Sequence, residues 1–280
     1  MEEITQHGLT SELPTSPAVS APELQLHELR SRIFHNSRLL RVWLPPGYRN
    51  AENRDRQYPI FYLNDGQNLF DPATAFAGVD WGVGRSTELL IRSGKIPPLI
   101  LVGIDNTGTA RMREYLPYRS FSPPILRPRG KRYPDFLLDE VMPFIRERYR
   151  IASGPDNTGL GGSSLGGLIT LFTILDRPGI FGRVLIESPS LFVSHRRILR
   201  YSRYFRQWPK RICLGMGTRE SGREDKDRQF VDDLRELERI LRHAGLGDDR
   251  LRVNIEEGAT HSEAAWGRRF PEALAFLFGN

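Results

Sequence analysis

Cysteine is all but missing from this chain: Cys213 is the only one among 280 residues. An intramolecular disulfide and a cysteine-rich metal site are therefore excluded. The apolar surroundings of Cys213, in RICLGMG, point to an inert buried thiol. Histidine is scarce as well, with six residues. No apolar run approaches the roughly 20 residues of a membrane-crossing helix. The first residues, MEEITQHGLT, lack the basic and apolar segments of a secretion signal. A soluble cytoplasmic protein with no membrane partner is expected, with no metal or organic cofactor implied.

Charge is present in both signs but unevenly placed. Lys and Arg number 40 against 34 Asp and Glu, a net +6. Residues 106–134 hold seven cations (Arg111, Arg113, Arg119, Arg127, Arg129, Lys131, Arg132) and one acid, Glu114. Residues 189–210 hold six (Arg196, Arg197, Arg200, Arg203, Arg206, Lys210) and no acid. Together the two segments carry +12, which leaves −6 for the remainder. A nucleic-acid partner is not expected, because no recognition motif accompanies the basic segments and the rest of the chain is acidic.

Residues 1–22 are polar and rich in Ser, Thr and Pro, the composition of a poorly ordered arm. LQLHELRSRIF and LLRVWLPPG then read as two antiparallel strands. YPIFYLND and PLILVGIDN are near-continuous apolar runs of strand length, as strands covered on both faces require. STELLIRSG and YPDFLLDEVMPFIRERY have helical spacing. Strands TGLGGS, RVLIES, RICLGMG and LRVNIEEG follow, with helices at LGGLITLFTILD, EDKDRQFVDDLRELERILRHAG and SEAAWGRRFPEALAFLF, the last kinked at Pro271. This alternation predicts one α/β domain over residues 23–280. Its sheet is mostly parallel, with antiparallel N-terminal strands and helices on both faces. Ligands bind beyond the carboxyl ends of such strands. Both basic segments follow strands directly, so both are expected to overhang that rim and to favour anionic substrates.

One motif stands out. In GLGGSSLGG only the frame Gly162-Ser163-Ser164-Leu165-Gly166 satisfies Gly-x-Ser-x-Gly, since Leu165 occupies the second glycine position when Ser163 is tried. The pattern is that of a nucleophile elbow, a strand turning abruptly into a helix with a strained serine at the apex. The competing reading is a Gly/Ser turn with Ser164 as helix cap. A serine nucleophile needs a base held by an acid, and after such an elbow these arrive in the order acid, then histidine. His7, His27 and His35 precede the elbow. His195 lies in a basic segment and His243 ends a helix. His261, just after the last strand, is the expected base. Glu220, after RICLGMG, is the expected acid, with Glu187, Glu224 and Asp225 as competitors. The Leu165 N–H and an N–H from Asn64-Asp65-Gly66-Gln67-Asn68 are the expected oxyanion donors, with Gly66 bending the loop and Gln67 aiming its N–H inward. Asn64, Asp65 and Asn68 as metal ligands lack a supporting carboxylate cluster.

These residues, with VWLPPGY, YPIFYLNDGQNLFD, WGVGRSTELLIRSGKIPPLILVGIDN, REYLPY, ESPSLF, GMGTRE and GATHSEAAWGRRFPEALAFLF, give the chain a family likeness. It resembles the esterase D-like branch of the α/β-hydrolases, with its enterochelin (siderophore), feruloyl and acetylxylan esterases and mycolyltransferases. The likeness covers nearly everything after residue 25. It implies an α/β-hydrolase fold and a serine esterase acting through Ser164, His261 and Glu220, with the Gly66-Gln67 loop for the oxyanion. Its substrate is a small-molecule ester, with anionic siderophore trilactones as one class. Asp65, Trp81, Arg111, Arg113 and Phe192 are the expected substrate-binding residues. A feruloyl or acetylxylan esterase, a thioesterase or an acyltransferase on the same triad is the alternative, and an inactive binding module the remote one. Two departures bear on the substrate: Phe192-Val193 stand where relatives often carry tryptophans, and the stretch after them is richer in arginine.

Overall fold

The computed structural model describes residues 20–121, 124–125 and 127–279. Eight strands form one sheet: β1 (Glu23–Ser31), β2 (Asn36–Leu44), β3 (Ile60–Asn64), β4 (Ile100–Ile104), β5 (Thr158–Ser163), β6 (Arg183–Glu187), β7 (Arg211–Arg219) and β8 (Leu251–Thr260). Their order is β1-β2-β4-β3-β5-β6-β7-β8. β1 pairs antiparallel with β2, and β2 with β4. From β4 through β8 every pairing is parallel.

The apolar strands are apolar throughout because each face meets a different helical layer. Alternate residues of β3 divide accordingly: Ile60 and Tyr62 join one core cluster, Phe61 and Leu63 the other. β6 does the same, with Val184 and Ile186 on the first side and Leu185 on the second. The second cluster is closed by α1 (Val83–Arg92) and α7 (Glu263–Phe278), through Leu90, Trp266, Phe270, Leu274 and Leu277. The first lies under α2 (Arg111–Tyr115), the helix of residues 133–146 (α3), α4 (Leu165–Asp176), α5 (Val193–Ser202) and α6 (Glu224–His243). Each large apolar side chain so buried contributes about 1.5–3 kcal/mol.

Several elements differ from expectation. The helix at 133–146 widens into a π turn over Phe136–Val141, where Met142 donates its N–H to Leu137, five residues back. Pro143 follows at once and has no N–H to donate, so the regular ladder is already broken there. Within the second basic segment, where no helix was expected, α5 forms and buries Ile198, Leu199 and Ser202. Its entry was not readable because Ser194, His195 and Arg196 are all left-handed, with φ of 54°, 54° and 59°. Of the expected arm at 1–22, residues 1–19 lie outside the described residues. Ser20 is fastened to the body: its N–H donates to Asn50 Oδ1 at 3.2 Å and its carbonyl accepts from Gly47 N–H at 3.0 Å.

Two glycines set how closely the loop after β3 can lie on β4. A Cβ on Gly66 would stand 2.6 Å from the Gly103 carbonyl carbon, and one on Gly103 would stand 2.9 Å from Gly66 Cα. Both obstacles are backbone, which cannot swing aside. Replacing Gly103 with Ala should therefore cost about 1–3 kcal/mol by overpacking. Urea unfolding checks this: the midpoint should fall at unchanged slope.

Candidate active site

Strand β5 ends at Ser163 and α4 begins at Leu165, so Ser164 alone makes the turn, with φ 58° and ψ −123°. A residue with a Cβ is strained there, at a cost of order 1–3 kcal/mol. The surroundings hold it in place. Ser164 N–H donates to the Glu187 carbonyl at 2.9 Å, and the Ser164 carbonyl accepts from Ser190 N–H at 3.1 Å. The motif glycines meet each other: a Cβ on Gly162 would lie 2.9 Å from the Gly166 carbonyl carbon. The helix-cap reading of Ser164 fails, because its side chain makes no capping hydrogen bond. Its Oγ points instead toward Ser190 Oγ, at 3.5 Å.

Glu220 and His261 are brought together by strand register. β7 and β8 both extend further than expected, and after a register shift Thr260 pairs in parallel with Arg219. The next residue of each strand is therefore side by side with the other. His261 Nδ1 donates to Glu220 Oε2 at 2.5 Å. Ser188 Oγ and the Gly217 N–H donate to Glu220 Oε1 at 2.7 and 2.6 Å, and Trp266 Nε1 donates to Ser188 Oγ at 2.9 Å. Burial alone would raise the Glu220 carboxyl. The hydrogen bonds from His261 and Ser188, the His261 charge and the Gly217 N–H outweigh it and hold the group below its ordinary value. Trp266 also meets the His261 ring edge-on, centroids 4.9 Å apart.

The competing acids lie elsewhere. Strand alternation turns Glu187, like Leu185, toward α7, where Arg269 Nε and Nη2 donate to its Oε2 at 3.0 and 2.8 Å. Burial raises its carboxyl and Arg269 only partly reverses this. Glu224 and Asp225 are exposed in the first turn of α6, with Asp225 paired to Arg223.

A cavity of about 600 Å³ opens over Ser164 and His261. Asp65, Gln67, Asn68, Asn106, Arg111, Glu263 and Trp266 line it. Leu165 opens α4, where backbone N–H groups lack intrahelical partners. Gln67 lies in a single 3₁₀ turn, Gly66–Asn68. The residue that bends this loop is Asp65, left-handed at φ 60°, and not Gly66. Gly66 is required for its close approach to β4. The Gln67 side chain accepts from the Asn106 N–H at 3.2 Å, which fixes the loop against the end of β4.

The expected substrate-binding residues divide. Asp65 and Arg111 line the cavity as a bidentate pair, both contacts at 2.7 Å. Burial would lower the Arg111 guanidinium, but the Asp65 charge and hydrogen bonds raise it above its ordinary value. Three others are not among the cavity's described lining residues. Trp81 is buried behind Trp266, ring centroids 5.7 Å apart. Arg113 is exposed and donates to the Arg127 carbonyl. Phe192 stacks on Phe230 and lines a separate cavity of about 360 Å³. Of the cations in the basic segments only Arg111 reaches the Ser164 cavity among the described residues, and its charge is met by Asp65. As metal ligands Asn64 and Asp65 are committed otherwise: Asn64 Nδ2 donates to Gly166 O and Thr170 Oγ1, and Asp65 holds Arg111. Phe76 was missed from the sequence. It stands at the cavity wall with 91% of its surface exposed, on a loop tied down by Phe76 N–H donating to Asn68 Oδ1 and Thr74 Oγ1 donating to the Gln67 carbonyl.

Comparison with known proteins gives a consistent result. The sequence model of the Esterase family, described as "Putative esterase", matches residues 31–277. The uncharacterized protein YbbA of Bacillus subtilis (strain 168) is 27% identical over 255 residues, 87% of this chain and 93% of its own. The ferri-bacillibactin esterase BesA of the same organism is 26% identical over 208 residues, 68% of this chain and 69% of its own. Among solved structures, the siderophore hydrolase EstA from Aspergillus nidulans superposes with a TM-score of 0.73 at 19% identity, over 97% of this chain and 98% of its own. The likeness shows the fold, that of α/β-hydrolases.

The geometry separates Glu220 from Glu187 by experiment. Glu220→Gln should lower kcat by about 10²–10⁴-fold through loss of the charge facing the imidazole. Glu187→Gln should leave kcat near wild type and lower stability, because Arg269 is buried. The lowered Glu220 carboxyl also carries a pH signature. Its contribution to stability is present above the unfolded value of 4.5 and is lost as pH falls through the folded value. The stability gap between wild type and Glu220→Gln, from urea unfolding across pH 7 to 3, should shrink below pH of about 4.5.

Proposed function

The chain belongs to the Esterase family, and we propose that its hydrolysis of carboxylic esters runs through a Ser164–His261–Glu220 triad and an acyl-enzyme. The observation that carries this reading is the strained apical serine sharing one cavity with a histidine whose far nitrogen is bonded to a buried carboxylate. With Nδ1 donating to Glu220, Nε2 of neutral His261 is the acceptor. Ser164 Oγ attacks the ester carbonyl as His261 Nε2 takes its proton, and the N–H groups of Leu165 and Gln67 hold the oxyanion. The tetrahedral centre collapses as His261 passes that proton to the leaving alkoxide. Water, deprotonated by His261, then attacks the acyl-serine, and the acid departs with Ser164 restored. Glu220 stays ionised throughout and stabilises the imidazolium.

For the substrate, relatives named as ferri-bacillibactin and iron(III) enterobactin esterases, and one carrying a feruloyl esterase, favour esters with large aromatic or polyanionic acyl parts. Phe76 supports an aromatic or apolar group at the mouth, since covering an exposed phenyl ring is favourable. A preference for anionic esters belongs to substrates long enough to reach cations outside the cavity, because Arg111 is already paired. No helix among the described residues is long and apolar enough to cross a membrane. A cytoplasmic setting, with residues 23–280 acting as one domain, fits the single buried thiol.

Ser164→Ala should abolish nearly all turnover of a p-nitrophenyl ester without changing the circular dichroism spectrum, while Ser163→Ala costs far less. An organophosphonate label found on Ser163 would reject the assignment. Phe76→Ala should raise KM for aryl and long-chain esters several-fold with kcat little changed, and leave short-chain esters and the melting temperature alone.

A further inference from the structure

We infer that the groove between the two basic segments is a binding site for polyanions, separate from the Ser164 cavity. The concavity measures about 580 Å³ and is lined by Arg119, Arg127, Lys131, Arg197 and Arg200, with no carboxylate among its described lining residues. It shares no described lining residue with the Ser164 cavity.

What marks these five cations is that they face one concavity without an acid among its described lining residues. Of the other cations in the two segments, Arg111 pairs with Asp65, Arg196 with Asp233 and Glu236, Arg203 with Glu236, and Lys210 with Asp156. Arg113, Arg129 and Arg206 donate to backbone carbonyls. Among the described residues none of the five in the groove forms an ion pair. A concave surface of one sign concentrates ligands of the other, and arginine forks suit oxyanions that accept two hydrogen bonds at once.

The groove is also built as a unit. Tyr118, from the first segment, stacks on Tyr201 of the second with centroids 5.7 Å apart. Arg197 lies over the Tyr118 ring at 4.5 Å and donates to the Tyr201 hydroxyl at 3.1 Å. That hydrogen bond, then the charges of Arg197, Lys131 and Arg200, hold the Tyr201 phenol below its ordinary value, so the cations act on one point. The left-handed turn of Ser194, His195 and Arg196 sorts the cations. It sends Arg196 outward to the acids of α6, sets His195 into the groove wall, and is fixed to the first segment by Ser194 Oγ near the Tyr118 carbonyl at 3.5 Å. A ligand presenting several phosphate, sulfate or carboxylate groups in a compact array fits this arrangement. Such a ligand can be a free polyanion or the distal anionic part of a large ester.

Inorganic tripolyphosphate tests the site by isothermal titration calorimetry. It should bind wild type and Ser164→Ala alike at about 20 mM salt and much more weakly at about 300 mM. Monophosphate should bind more weakly than tripolyphosphate. The double variant Arg197→Ala/Arg200→Ala should lose at least tenfold in affinity, and Arg127→Ala/Lys131→Ala should do the same. All four side chains are exposed, and circular dichroism confirms folding of each variant. These arms do not use turnover, so they stand whether or not the esterase reading does. Competition by tripolyphosphate against a polyanionic ester, but not a small neutral one, assigns the groove to the substrate's far end. Competition against neither assigns it to a separate ligand. Absence of binding at low salt, or wild-type affinity retained in either double variant, overturns the site.

Discussion

The near-contact of Gly162 with Gly166 is what allows everything else in the site to be where it is. A strand can feed a helix through a single residue only if the two backbones almost touch. That geometry forces the intervening Ser164 into a region that side chains avoid. The strain is local, but its containment is not. It rests on the carbonyl of Glu187 and the N–H of Ser190, both at the end of the neighbouring strand. The same strand end supplies Ser188, which donates to Glu220. Ser164 and Glu220 thus lean on adjacent residues of one segment, so their mutual placement does not depend on any flexible connection.

Charge is handled by strict pairing near the chemistry. Arg111 is matched by Asp65 at the cavity wall, and Arg269 by Glu187 and Glu256 beneath it. Among the described residues, two buried carboxylates at the cavity lack a guanidinium partner. Glu263 accepts from Asn68 Nδ2, and three donors converge on the two oxygens of Glu220, one of them His261. Cations without an acid partner among the described residues instead line the groove beside Tyr118.

Much of this was legible in the sequence, and the limits of legibility are physical. Ser164 is encoded locally: five glycines and a strand-like run determine the turn, and the frame is unique. His261 follows from chain order. Glu220 could be ranked above Glu187, Glu224 and Asp225 but not isolated from them, because its identity depends on the pairing of Arg219 with Thr260 past a register shift. The alternation of Leu185, Ile186 and Glu187 does carry the signal that turns Glu187 to the opposite face. Trp81, Arg113 and Phe192 missed the cavity because sequence neighbourhood says nothing of which side of a loop faces inward. The basic segments were placed on the correct rim, yet they converge on each other and not on the serine. Three left-handed residues reverse the chain at the start of α5, and no propensity of Ser, His or Arg announces them. Phe76 was not singled out, because a lone aromatic in a loop carries no spacing signal.

β8 is the last strand of the sheet, and its register is already interrupted between Glu256 and Thr260. The histidine rides on the end of that strand, and α7, directly after it, contributes Glu263 and Trp266 to the cavity wall. That helix also closes the second core cluster, where Phe270, Leu274 and Leu277 join Phe61 and Leu63 of the central β3. The support of the histidine and the packing of one whole face of the sheet are therefore a single structure. Anything that loosens α7 uncovers the core under β3 and displaces His261 in the same event.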